Sequence, residues 1–416
     1  MVASTDIKFY VHTNTNAPQL TNNYGCMIDV LDACLVNGFG SQTVSTLTAS
    51  GTTVTATFGS AHNFMQYQVI EIAGATQTEY NGEHRILTVQ DANTITFELA
   101  AVPSVTTATG TITSSLPSLG WEKPFSSTGK AAYRSKNLLL ASRPFLRVVD
   151  ALDPAYTSTY AKYAKVGIVE DMTDIDTMLG VQAPFDALNP DKNWVGTGSG
   201  TSAINGWAKW YYARAAAPEA NSWDNTGPTE GNRPYVVIGT PDYFYIFPCT
   251  HHIGLSGLSY GFGAFESFLN TDSSNTFLSA SVHYAAANAA RYVGDFTGID
   301  GYNASTGYKD LLILKPYTQN NKYVAAKTAS LAFSNNYSGS ADSIGGVALT
   351  GIAPFSPVFI KESVLRGRLR GIYHLFQNKP YTNKQFIKQS NEVFMAIDVA
   401  PGNIYLGQIV VKVGVI

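Results

Sequence analysis

Thr53-Val54-Thr55-Ala56-Thr57-Phe58, with Val69-Ile70-Glu71-Ile72 and Thr94-Ile95-Thr96-Phe97-Glu98-Leu99 further on, is the stretch that decides the fold. Every second residue is apolar, and that period places one face of each strand inward. Gly51, the pair Asn81-Gly82 and the cluster Asp91-Ala92-Asn93 fall between the runs at turn-compatible intervals. Asn-Gly predicts a two-residue hairpin turn, because both residues accept positive φ. About six short strands follow, enough for a small β-sandwich or barrel. The segment 42–115 therefore reads as a small β module inserted into a β-rich host made of 1–41 and 116–416.

Working outward, the host carries more strands and few helices, so the fold class is mainly β. A strand is expected at Lys8 to His12, and others at Phe145 to Val149, Tyr235 to Ile238, Tyr243 to Phe247, Leu311 to Leu314, Val358 to Ile360, Val393 to Ile397 and Tyr405 to Ile416. Met27, Val30, Leu31, Cys34 and Leu35 fall at i, i+3, i+4, i+7 and i+8. That stripe predicts one helix docked on the host sheet, with Asn37-Gly38 as a left-handed stop. Ala285 to Tyr292 is a second helical candidate. A chain of 416 residues exceeds a single core, so two or more domains are expected.

Charged residues make up 14% of the chain, well under the ~25% of an average soluble protein, while aromatics reach 12%. Such a surface suits a protein whose neighbours cover much of it, since interface cores are depleted in charge and enriched in aromatics. A formal net charge of −3 gives no footprint for nucleic acid, which requires clustered Lys and Arg. Arg366, Arg368 and Arg370 alternate and would share one face of a strand, read as solvated or subunit-facing. Cys26, Cys34 and Cys249 have no zinc spacing and imply reduced thiols rather than disulfides. The N-terminus shows no apolar signal region, and no run approaches the ~20 apolar residues of a membrane span.

Four features invite a chemical reading. Gly257-Leu258-Ser259-Tyr260-Gly261 matches the Gly-x-Ser-x-Gly pattern, but a nucleophile elbow needs strand, sharp turn and helix, and the surroundings favour a glycine-rich loop. Glu170, Asp171, Asp174 and Asp176 form the densest acidic cluster, where a glycosidase would place its acid and base; a solvated turn or polar contact fits better. Adjacent His251 and His252 point to opposite faces of a strand and suit no metal. Trp194, Trp207, Trp210 and Trp223 lie in or beside the loop-rich stretch from Asn189 to Pro234, which includes Gly196 to Gly200, and suit either carbohydrate stacking or a protein interface. Catalytic, cofactor-binding and metal residues are accordingly all expected to be none.

Two sets of motifs carry a resemblance. Ala61-His62-Asn63-Phe64, Ile72-Ala73-Gly74-Ala75, Tyr80-Asn81-Gly82, Asp91-Ala92-Asn93-Thr94 and Ala108-Thr109-Gly110 occur in the order found in a β module common in phage virion proteins, and the segment resembles it. The host is similar to a tailed-phage structural protein encoded among head, neck and tail genes. That resemblance rests on Leu31-Asp32-Ala33-Cys34-Leu35-Val36-Asn37-Gly38-Phe39-Gly40, on Gly120-Trp121-Glu122-Lys123-Pro124-Phe125, on Ala132-Tyr133-Arg134, and on Asp171-Met172-Thr173-Asp174-Ile175-Asp176. Tyr243-Phe244-Tyr245, Gly261-Phe262-Gly263 and Leu365-Arg366-Gly367-Arg368-Leu369-Arg370-Gly371 extend it.

The resemblance implies a non-enzymatic virion component of the tail, baseplate or neck. Such a protein is assembled in the bacterial cytoplasm and acts as a homo-oligomer in contact with other tail or neck proteins. It carries over no catalytic residue and no cofactor. A receptor- or glycan-binding decoration or tail protein, with host surface glycan as partner, is the alternative. A polysaccharide-degrading tail enzyme is the second.

Overall fold

A computed structural model describes residues 2–199, 206–214, 227–250, 257–282, 297–299, 310–329, 353–375, 379–399 and 407–416. The chain is mainly β, and its named strands pair antiparallel in three sheets.

Seven strands between Phe39 and Leu116 form one sheet, in the order Gly82–Arg85, Val69–Ala75, Gly110–Leu116, Phe39–Ser50, Thr53–Phe58, Thr94–Glu98, Thr88–Asp91. Only Ile86 and Leu87 separate the two edge strands. The Ile86 N–H donates to Gln68 O at 2.9 Å and the Leu87 N–H to Thr96 O at 2.8 Å, so the chain steps from one edge to the other and closes the sheet into a small barrel. The alternating residues Val54, Ala56, Ile70, Ile72, Ile95 and Phe97 fill it, as the period of two requires. Two of the quoted glycines meet inside this sheet. Gly74 has φ +82°, and a Cβ there would strike Thr111 O; Gly110 has φ +119°, and a Cβ there would strike Gly74 O.

The Asn81-Gly82 expectation is corrected. Asn81 is extended, with φ −77° and ψ 151°, and follows a short 3₁₀ turn at Thr78–Tyr80. Its side chain accepts from Ala75 N at 3.0 Å and donates to Ala75 O at 2.8 Å. The asparagine thus closes the turn through its amide rather than through a left-handed backbone.

The host is built on a thirteen-stranded sheet that rolls over itself. In the strands Tyr235–Gly239 and Tyr243–Pro248, the residues Val236, Ile238, Tyr245 and Phe247 share one cluster with Val358, Ile360, Met395, Ile397, Ile409 and Val411 from the far half of the same sheet. The alternate residues Val237, Phe244 and Ile246 face outward into a second cluster with Leu146, Val148, Val166 and Trp210. Those last four belong to a separate seven-stranded sheet that includes Phe145–Val149, Lys162–Met172 and Ala208–Ala213. The second cluster runs on into the barrel interior, so host and inserted segment share one continuous core.

Met27, Val30, Leu31, Cys34 and Leu35 are all buried in that core. The single expected helix is instead an α-helix, Cys26–Leu31, continued by a π turn, Asp32–Asn37, closed by Gly38 N donating to Ala33 O at 2.9 Å. Gly38 has φ 70° but ψ 173°, so the stop is not the left-handed one expected. Its neighbours are host strands, because Tyr133 Oη donates to Asp32 Oδ1 at 2.7 Å and Lys123 Nζ pairs with Asp32 Oδ2 at 2.5 Å. No described helix is long and apolar enough to cross a membrane. Ala285 to Tyr292 lies outside the described residues.

Polar groups tie the barrel to the N-terminal segment from Ser4 to Asn14, which includes the strand Lys8–Val11. Arg85 is buried and donates to Ser4 O at 2.5 Å, Tyr67 O at 2.7 Å and Ile7 O at 2.8 Å. Gln68 Nε2 donates to Phe9 O at 3.0 Å and to Asn14 Oδ1 at 2.9 Å.

Candidate functional site

Ser259 is fully buried, its hydroxyl has no partner, and its carbonyl accepts from Ser279 Oγ at 2.9 Å. The chain after it enters the strand Tyr260–Ala264 rather than a helix. A nucleophile elbow presents its serine at an exposed strand-to-helix turn, so Gly257 to Gly261 lacks that geometry. His251 and His252 lie outside the described residues, and among the described residues no group of three His, Cys, Asp or Glu is placed to hold a metal.

The acidic cluster sits on the hairpin joining Lys162–Met172 to Met178–Ala183. Glu170 pairs with Lys315 at 2.7 Å and accepts from Val181 N at 2.8 Å. Asp176 pairs with Lys130 and with Arg147, each at 2.7 Å, and Asp174 caps the turn by accepting from Asp176 N at 2.8 Å and Thr177 N at 2.9 Å. Hydrogen bonds and cations hold Glu170, Asp174 and Asp176 below the usual carboxylate range. A general acid in glycoside hydrolysis needs the opposite shift. The carboxylates stand as anions that brace the hairpin.

The arginine row is not free either. Arg366 is fully buried against Asp272 at 2.5 Å and Glu362 at 3.0 Å, which corrects the solvated reading for this residue. Arg368 pairs with Glu266 at 2.8 Å and Arg370 with Asp242 at 3.5 Å. The bulges in the pairing of Phe355–Lys361 with Leu365–Leu375 break the simple alternation, so the three side chains differ in burial.

The tryptophans are also corrected. Trp194 is buried under Arg147, whose guanidinium lies 4.4 Å from the ring centroid. Trp207 is buried, and Trp210 lies within the strand Ala208–Ala213, donating Nε1–H to Ser279 O at 2.9 Å and stacking on Tyr260 at 5.7 Å. These rings serve the chain's own core. Trp223 and Gly200 lie outside the described residues.

Sequence reading missed a cleft of about 710 Å³ beside the acidic hairpin. It lies between Gly180, Val181, Gln182 and Phe185 on one side and Asn321 to Ala325 on the other. Phe185 and Tyr323 supply aromatic surface, and Gln182, Asn321 and Lys322 supply donors and acceptors. Gln182 Oε1 is buried with no partner. A wall of rings with amides at its rim can take a ligand that has one apolar face and several hydroxyls. The two walls are about 140 residues apart, and no local motif signals them.

No family model matches the chain, and no curated protein matches it. Among solved structures, the phage phi92 endosialidase is similar at 11% identity and a TM-score of 0.17, over 89% of this chain and 67% of that chain. A likeness that slight says nothing of activity. What the geometry defines is a class: a mainly-β protein of antiparallel sheets, one of them formed by the seven strands between Phe39 and Leu116.

Proposed function

We propose that the protein is a structural component of a tailed-phage virion, placed in the tail, baseplate or neck, and that it works by symmetric self-assembly and contact with neighbouring virion proteins. The observation that carries this reading is how the scarce charge is used. Glu170, Asp176, Arg366, Arg368 and Arg370 are all paired within the chain, while Leu138, Leu139 and Leu188 stand 76%, 93% and 89% exposed. A surface short of free charge suits burial by neighbours. The motif resemblance from Leu31 to Gly40 and in the late arginine segment supports the same assignment. Sedimentation of the purified chain with mass-spectrometric stoichiometry of virions tests it: a monomer at all concentrations, absent from particles, would overturn it.

The cleft between Phe185 and Tyr323 favours a second reading, a tail or decoration protein that holds host glycan there. A glycan array that binds wild type and loses signal on Tyr323→Ala supports it. Reducing-sugar release from host capsule tests the polysaccharide-degrading alternative.

A further inference from the structure

A smaller hollow, of about 200 Å³, opens where the strands Lys8–Val11, Tyr243–Pro248 and Glu392–Val399 finish. Tyr235, Phe247 and Ile397 give it apolar walls, and His12, Lys384 and Asp398 bring polar groups to it. The only carboxylate among the described residues of this wall is already engaged, since Asp398 pairs with Lys379 at 2.7 Å and accepts from Gln408 Nε2 at 2.6 Å. Among the described residues Lys384 Nζ has neither hydrogen bond nor ion pair. His12 Nδ1 is buried and has no partner. The hollow therefore contains one cation in excess and one polar ring atom without a mate.

The backbone adds an independent sign. Lys384 has φ +64°, a left-handed conformation uncommon for a residue with a Cβ, and its N–H is fixed on Ala396 O at 2.8 Å. Strain of this kind persists where the surroundings or a task demand it.

We propose that this hollow is a binding site for a carboxylate, with Lys384 Nζ supplying the charge, His12 Nδ1–H a second donor, and Tyr235, Phe247 and Ile397 enclosing a short apolar chain. Burial and the nearby Lys384 hold His12 below its usual pKa, so at neutral pH the ring is uncharged and can donate from Nδ1 in one tautomer. An incoming anion would offset the desolvation of the Lys384 ammonium, and a charge-assisted bond is among the stronger ones available. At ~30 Å³ per water, the space equals about six or seven waters, the size of a branched five-carbon acid. The carboxylate can come from a free small acid or from the C-terminus of a polypeptide.

The test titrates the full chain, by calorimetry and ligand-observed NMR, with isovalerate, isovaleramide, N-acetyl-glycyl-leucine and its C-terminal amide. Saturable binding of isovalerate, with isovaleramide at least about tenfold weaker, supports the site and a free acid as ligand. Binding of the peptide acid but not of its amide supports a chain terminus. Lys384→Met and His12→Phe should each weaken whichever ligand binds by about tenfold, whereas the exposed Lys136→Met should not. The acid-against-amide contrast needs no variant, so it stands even if a substitution misfolds. Equal affinity for acid and amide, no saturable binding by any of the four, or binding unchanged in a folded Lys384→Met protein would overturn the proposal.

Discussion

Tyr212 Oη donates to Asp150 Oδ1 at 2.6 Å, while the other oxygen of the same carboxylate accepts from Met27 N at 2.9 Å, so the residue just past the strand Phe145–Val149 caps the buried start of the Cys26–Leu31 helix. Burial pushes Asp150 up from 3.8 to about 6, even though Tyr212 and the amides of Met27, Ile28 and Gly25 pull the other way. The folded state therefore holds this proton more tightly than the unfolded chain. Its contribution to stability is full below about pH 4 and is lost as pH rises through about 6, a change of roughly 3 kcal/mol for two pKa units. Urea unfolding of wild type and Asp150→Asn at pH 5 and pH 7 should show that only wild type gains stability from this group on acidification, by about half of that increment. Parallel pH dependence in the two proteins would show that Asp150 does not titrate in that window.

Leu31 is fully buried in the core shared by helix, barrel and host. Leu31→Ala should cost ~2–5 kcal/mol by lost burial and residual cavity. A loss under about half a kcal/mol in chemical denaturation would mean that the site collapses freely or is not packed as described.

Gly74 and Gly110 are each required, both at positive φ, with Thr111 O where a Gly74 Cβ would lie and Gly74 O where a Gly110 Cβ would lie. Gly74→Ala should destabilise the chain by about 1–3 kcal/mol from backbone strain alone. Hydrogen exchange should place the damage in Val69–Ala75 and Gly110–Leu116. Protection unchanged in those two strands would contradict their close approach.

Removing the buried guanidinium of Arg85 leaves the carbonyls of Ser4, Tyr67 and Ile7 without their donor. Arg85→Met should cost about 2–4 kcal/mol in the full chain. The isolated segment 39–116 should melt cooperatively and tolerate the same change far better, because two of the three carbonyls are absent from it. Equal sensitivity in both would show that Arg85 acts inside the barrel rather than across to Ser4 and Ile7.

Ser259→Ala removes a hydroxyl with no partner, and Asp174→Asn keeps an acceptor for the turn amides. Under the structural reading both should leave particle assembly and infectivity at wild-type levels. Particles that assemble yet fail to breach the host envelope would point to chemistry at one of these side chains.

Much of the β architecture was legible because each strand has one face fixed by the core. Val54, Ala56, Ile95 and Phe97 announce themselves by alternation, and Tyr235 to Ile238 and Tyr243 to Phe247 by apolar continuity. Closure of the barrel was not legible, because it depends on the bend at Ile86-Leu87, which looks like any turn. The pairing of Arg368 with Glu266 and Arg370 with Asp242 spans more than 100 residues, beyond any local pattern. The tryptophans misled for a related reason. Polar stretches around Trp194 and Trp207 have loop composition, yet both rings are buried, that of Trp194 beneath the Arg147 guanidinium, while Lys165 Nζ donates to the Trp194 carbonyl.

The inserted barrel enters and leaves the host at adjacent points, since Phe39 faces Leu116 across a strand pair. To the rest of the chain, the nearly eighty residues from Phe39 to Leu116 occupy no more room than a hairpin bend. The loops of such a segment can lengthen or shorten without re-routing the surrounding polypeptide, at little cost in loop closure. Without it, the carbonyls of Ser4, Ile7 and Phe9 would need new donors in place of Arg85 and Gln68, so those few N-terminal positions register the presence of the whole barrel.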